Sequence, residues 1–175
     1  STNFFNIYRE QGPNVFDGKT MSKTSFLNDQ LSVGGEIYLS KNSTVSIAMS
    51  GLMNNNDSKT DSRTLMAQND DFIIDSVLLA PNRNESEVEN YTVSFNYTYK
   101  DSLDRRLSVD ADWVNYQSIA LSNQPNIYTS PNEAVVLGQI INAQETPIDI
   151  QVLSSQADYE QKVGKGTFST GIKAS

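Results

Sequence analysis

Two carboxylates, Asp110 and Asp112, come closer than other residues in this sequence to a catalytic pair. Residues two apart in a strand share a face and lie about 7 Å apart, a separation that suits the acid and base of a glycosidase. Catalysis would also need a pocket and residues that position a substrate, and the surrounding sequence shows neither. We therefore interpret the pair as polar side chains on the wet face of a strand, and we predict no enzymatic activity.

A second polar run, residues 54–61, offers oxygen ligands that suit Ca²⁺. An EF-hand loop requires Gly at its sixth position and Glu at its twelfth, but counting from Asn54 these positions hold Lys59 and Leu65. A lysine inside the loop would also repel the metal. We interpret the run as a solvated loop, and the sequence predicts no metal site and no cofactor.

Residue types that the chain lacks exclude whole classes of chemistry. The absence of cysteine and histidine removes disulfides, thiolate nucleophiles, Ser-His-Asp triads and zinc sites built on these ligands. The net charge of −8, without a cluster of Lys and Arg, argues against a nucleic-acid partner, because affinity for phosphates comes mainly from cations. Ser and Asn supply 40 of the 175 residues, which favours turns and sheets over helices.

Apolar and polar residues alternate with a period of two along much of the chain, whereas helical periodicity is hard to find. The clearest strand is residues 89–100, where aromatic and aliphatic side chains alternate with Asn, Thr and Ser. The pattern predicts an all-β, antiparallel up-and-down meander of about seven strands. We expect short turns near residues 42, 103 and 164, long loops at 54–88 and 118–147, and a shorter connection at 11–23.

Strands of ten residues or more with one apolar and one polar face are typical of a transmembrane β-barrel. No run of 18 apolar residues occurs, so the sequence excludes transmembrane helices but not transmembrane strands. A soluble β-sheet module that binds glycans through its aromatic stripe is the alternative. The barrel interpretation assigns these side chains to the membrane-facing surface: Tyr91, Val93, Phe95, Tyr97, Tyr99, Leu107, Val109 and Trp113.

Four stretches, residues 61–65, 74–80, 90–113 and 158–175, resemble the outer-membrane β-barrel portion of TonB-dependent receptor-like proteins. They include Asp61-Ser62-Arg63-Thr64-Leu65 and the alternating text from Asn90 to Trp113. The resemblance implies a location in the bacterial outer membrane and a role in energised nutrient uptake. It implies as partners the outer-membrane lipid, the remaining strands and plug of the parent protein, and a TonB-type energising protein.

The chain departs from the family pattern in two respects. Such receptors have barrels of about 22 strands and a plug, and no plug is visible in this sequence. The final residues, Lys173-Ala174-Ser175, lack the aromatic terminus that ends an outer-membrane barrel. We therefore expect residues 1–175 to be an internal fragment, a partial barrel that does not transport anything by itself.

Overall fold

Seven antiparallel strands form one sheet in which each strand pairs with its neighbours in chain order. The structure, a computed structural model, describes residues 1–68 and 73–175, and the side chain of residue 68 is not described. The strands are β1 (Thr2–Gln11), β2 (Asn14–Ser40), β3 (Ser43–Gln68), β4 (Ile74–Lys100), β5 (Arg106–Thr129), β6 (Val136–Val163) and β7 (Gly166–Ala174). Within the described ranges, no helix is long and apolar enough to cross a membrane.

The all-β meander predicted from the period-two alternation is confirmed. The sheet is not closed: β1 and β7 lie at its two ends. Strand β1 pairs with the first part of β2, from Thr2 with Lys23 to Gln11 with Asn14. Strand β7 pairs only with residues 155–163 of β6. Five of the seven strands contain between 24 and 28 residues, far more than the five or six usual in globular sheets.

The prediction of long loops at residues 54–88 and 118–147 is wrong for the residues that the structure describes. Strand β3 continues to Gln68 and β4 begins at Ile74, while β5 and β6 leave only residues 130–135 between them. Residues 69–72 of the first predicted loop lie outside the described residues. The predicted connection at 11–23 is a two-residue turn followed by strand. Polar composition misled the prediction because main-chain pairing can hold a strand whose faces both meet water.

Two of the tight turns depend on a glycine with a positive φ. Gly12, between β1 and β2, has a φ of 59°, and Gly164, between β6 and β7, has a φ of 62°. A two-residue hairpin turn of type II′ needs this conformation at its first central position, which glycine adopts without steric cost. The two glycines thereby set the pairing of both end strands of the sheet.

The chain divides into two compact units, each built from segments of several strands. Unit 1 comprises Ser1–Leu27, Asn54–Glu87 and Ile119–Pro147, and unit 2 comprises Asn28–Met53, Val88–Ser118 and Ile148–Ser175. Strands β2 to β6 each contribute residues to both units.

Unit 1 contains a small buried core. Its members are Val15, Val77, Ala80 and Thr129, and Val77 has no exposed surface. The Thr129 hydroxyl donates a hydrogen bond of 3.2 Å to the carbonyl of Val77, so the one buried polar side chain of this core is satisfied.

Unit 2 has no buried side chain among the residues that the structure describes. Its large apolar residues lie on the surface instead: Leu31 is 73% exposed, Ile37 is 62% exposed and Met49 is 52% exposed. The apolar groups of unit 2 are thus not shielded by a protein interior.

Candidate functional site

The exposed apolar side chains of unit 2 are collected on one face of its strands. A Cβ atom added to Gly51 would lie 3.3 Å from Cδ1 of Tyr91, so the Tyr91 ring covers the glycine of the neighbouring strand. Tyr91, Val93 and Trp113 line one groove. The Tyr97 hydroxyl lies 3.4 Å from that of Ser43. These contacts join alternate residues of β3, β4 and β5 into a common surface.

The apolar part of this face has the same length on three neighbouring strands. Apolar residues and glycine occupy alternate positions over residues 31–39 of β2, 45–53 of β3 and 91–99 of β4. Each stretch is as long as the 9–11 residues that a tilted strand needs to cross the hydrocarbon of a bilayer. We call these stretches, with residues 107–113 of β5, the apolar band.

The structure places every residue predicted to face the membrane within the apolar band. Tyr91, Phe95 and Trp113 are 38%, 37% and 39% exposed, whereas the five remaining side chains are half-buried: Val93, Tyr97, Tyr99, Leu107 and Val109.

Short polar side chains bond to one another on the opposite face of unit 2. Asn96 Nδ2 donates to Asp110 Oδ1 at 2.5 Å, and the Ser108 hydroxyl donates to Asp110 Oδ2 at 3.3 Å. The Thr98 hydroxyl donates to Asn96 Oδ1 at 3.2 Å. This network places Asn96 and Thr98 on the face that alternates with the aromatic residues of β4.

Unit 1 has an equivalent row of hydroxyl pairs between β2 and β3. The pairs are Thr20 with Ser62 at 2.9 Å, Ser22 with Thr60 at 3.0 Å, and Thr24 with Ser58 at 3.4 Å. Cross-strand hydroxyl pairs of this kind stabilise a sheet by a few tenths of a kcal/mol each, about 0.2–1. The second of the two strands includes part of the run that the sequence suggested as a solvated loop.

Residues 54–61 therefore belong to strand β3, and their interpretation as a loop is wrong. Lys59 Nζ lies 3.6 Å from Asp57 Oδ2, and both side chains are exposed. Among residues 1–68 and 73–175, no group of three or more acidic side chains is arranged to hold a metal ion.

Asp110 is held as a member of the polar network rather than as a free acid or base. Its two oxygens accept hydrogen bonds from Asn96 and Ser108, and Asp112 follows it on the same strand. We expect Asp110→Asn and Asp112→Asn to leave any hydrolysis of polysaccharides by the purified protein unchanged. Reducing-sugar assays on both variants and the unmodified chain check this expectation, and complete loss of a hydrolytic activity in either variant would restore the glycosidase hypothesis.

The turn between β4 and β5 is held by one carboxylate. Asp101 Oδ1 accepts hydrogen bonds from the main-chain N–H of Leu103 at 2.9 Å and of Arg105 at 3.0 Å. Asp101 Oδ2 accepts another from Arg105 Nε at 2.6 Å. The Arg105 guanidinium, with these two amides, lowers the pKa of the Asp101 carboxyl. Asp104, which has a φ of 58°, bonds Lys162 at 3.1 Å and thus ties this turn to β6.

Acid should loosen this turn. A carboxyl whose pKa is lower in the folded state contributes stability above its unfolded pKa of about 3.9 and loses it as the pH falls through the lower folded value. We therefore expect the amide protons of Leu103 and Arg105 to exchange faster, relative to their intrinsic rates, once the pH falls below about 4. Hydrogen exchange measured by NMR checks this, with Asp101→Asn as control. The same pH response in that variant would contradict the assignment to Asp101.

Comparison with known proteins adds a family to this geometry. Residues 100–175 match the sequence model of the outer membrane protein beta-barrel family, a segment that includes β5, β6 and β7. No curated protein matches the chain. The match favours a membrane barrel over a soluble glycan-binding module. With the open seven-stranded meander, it indicates a β-barrel protein of the bacterial outer membrane, where lipid surrounds the strands.

Proposed function

We propose that this chain is part of the wall of a TonB-dependent receptor-like barrel, which takes up a nutrient too large for simple diffusion. The observation that carries the proposal is a sheet with an apolar band on one face, a polar network on the other, and two end strands that leave it open. A sheet of this kind is completed by further strands, and a barrel with more than about 16 strands has a lumen wide enough for a solute or a plug.

The apolar band is proposed to face lipid. A soluble monomer rarely exposes a contiguous apolar patch larger than a few hundred Å², whereas hydrocarbon solvates such a patch without cost. Tyr and Trp residues near the ends of the band suit the interfacial aromatic girdles of outer-membrane barrels. The proposed lipid-facing residues are Tyr91, Val93, Phe95, Tyr97, Tyr99, Leu107, Val109 and Trp113.

The remaining length of the strands is proposed to extend beyond the bilayer. A strand rises about 3.3 Å per residue, so one of 27 residues such as β4 spans about 90 Å. Only about 9–11 of its residues are needed to cross the hydrocarbon. The turns at 41–42, 101–105 and 164–165 directly follow or precede the apolar stretches and are assigned to the periplasmic side. The polar segments, residues 54–68 among them, are assigned to the cell exterior.

The polar face is proposed to line the lumen, where Ser, Thr and Asn side chains would offer hydrogen bonds to water and to a polar solute. Uptake through such a lumen requires a plug that moves and an energising protein that moves it. Both partners follow from the resemblance to TonB-dependent receptor-like proteins, and they are proposed on that ground.

Growth on defined nutrients tests the proposal. A strain that lacks the gene and a strain that lacks the TonB-type energising protein should lose growth on the same oligosaccharide, peptide or chelate at limiting concentration. Complementation with the intact gene should restore growth in the first strain only. If uptake through the protein continues without the energising protein, the barrel is a passive channel and the proposal is wrong.

A further inference from the structure

A groove in unit 2 lies within the apolar band, at the end where the band meets acidic residues. It has a volume of about 640 Å³, within the range of about 300–1,000 Å³ that is usual for small-molecule sites. Apolar side chains from four strands line it: Leu31, Val33, Met49, Met53, Tyr91, Val93 and Trp113.

Glycine makes the depression. Gly51 lies on β3 among larger neighbours, and its missing side chain leaves room beside the Tyr91 ring, whose atoms lie 3.3 and 3.4 Å from the position of an added Cβ. Gly35 of β2 differs, because a Cβ there would meet nothing within 4 Å. Filling at Gly51 should therefore change the groove, while the same change at Gly35 should not.

The rim of the groove carries negative charge. Asp29 lines its polar end, and Glu89 accepts a hydrogen bond of 3.3 Å from the Tyr91 hydroxyl. No Lys or Arg is among the lining residues given by the structure. An occupant with an apolar chain would fit the groove, and an attached cation would be attracted to the rim, whereas an anion would be repelled.

We propose that this groove binds one acyl chain of a phospholipid whose headgroup carries an amine, with the amine beside Asp29 and Glu89. The proposal rests on the proposed lipid-facing role of the apolar band and deepens it, because it distinguishes one lipid site from the general lipid surface. Its occupant is a lipid rather than a second copy of the chain, because the lining continues the band whose length matches the hydrocarbon thickness.

Trp113 gives a direct measurement, because it is the sole tryptophan of the chain and lines the groove. The full chain is reconstituted in vesicles that contain a small fraction of phospholipid with brominated acyl chains, which quench tryptophan on contact. The brominated lipid carries either an ethanolamine or a glycerol headgroup. We expect at least a twofold greater quenching by the ethanolamine lipid at equal mole fraction.

Variants separate the groove from the surrounding lipid. Gly51→Leu should abolish the excess quenching by the ethanolamine lipid, and Gly35→Leu should retain it. The double change Asp29→Asn with Glu89→Gln leaves the groove floor intact, and it should remove the headgroup preference while Trp113 is still quenched by both lipids. Because this pair lies at the rim, it keeps the test valid if Gly51→Leu does not fold.

Each contrary result has a distinct meaning. Equal quenching by both lipids in the unmodified chain overturns the groove proposal and leaves the lipid-facing band intact. No quenching by either lipid overturns both. Quenching that falls as the protein-to-lipid ratio rises, in every lipid, assigns the groove to a second copy and overturns lipid occupancy.

Discussion

Phe95→Arg is expected to destabilise the protein in a bilayer by about 2–4 kcal/mol, the cost of an arginine on the lipid face at the midplane. Phe95 is the central residue of the band segment 91–99 and is 37% exposed. A guanidinium at this depth has to leave water or deform the bilayer, because hydrocarbon offers no hydrogen-bond partner. Urea unfolding in lipid vesicles, followed by tryptophan fluorescence, measures the loss of stability.

Ser94→Arg is the matched control for this change. Ser94 precedes Phe95 on β4, and adjacent residues of a strand point to opposite faces, so its arginine would enter the polar side. We expect a loss of less than about 1 kcal/mol, the upper end for charged substitutions near an aqueous interface of a barrel. If Ser94→Arg costs more than Phe95→Arg, the faces are assigned the wrong way round.

The strands that cross the proposed membrane are the ones that the sequence predicts well. In residues 89–100 the two faces meet different surroundings, so selection for apolar and polar side chains leaves a period of two. In residues 54–68 both faces carry polar residues, and nothing in the side-chain pattern distinguishes a strand from a loop. The hydroxyl pairs that join this segment to β2 depend on register, which composition does not reveal.

The apolar cluster at residues 72–79 illustrates a second limit. The sequence predicts a covered patch or a small hairpin inside a long loop, but residues 74–79 begin strand β4, with Val77 fully buried. Phe72 lies outside the described residues. Apolar character correctly indicated burial at Val77, but the neighbours that bury it come from distant parts of the chain, as the bond from Thr129 demonstrates. Burial was therefore predictable here, and the partner was not.

In buffer without detergent, the purified chain is expected to form large, polydisperse particles in light scattering, and in detergent micelles it should become small and uniform. Water would contact the exposed side chains of the apolar band, whose burial is worth about 25 cal/mol per Å² of apolar area. Association between copies would remove this area from water, and micelles remove it without association. Titration with detergent across its critical micelle concentration locates the transition.

Open strand edges should strengthen this association. Within the described part of the chain, β1 covers β2 only up to Lys23, and β7 covers only residues 155–163 of β6. Residues 25–40 and 136–154 therefore each present one row of main-chain N–H and C=O groups that another copy could pair with. Edge pairing predicts thioflavin-type fluorescence and a cross-β spacing of about 4.7 Å in the particles, whereas association through the apolar band alone predicts neither. A stable, well-dispersed monomer without detergent would contradict both routes and favour a soluble glycan-binding module.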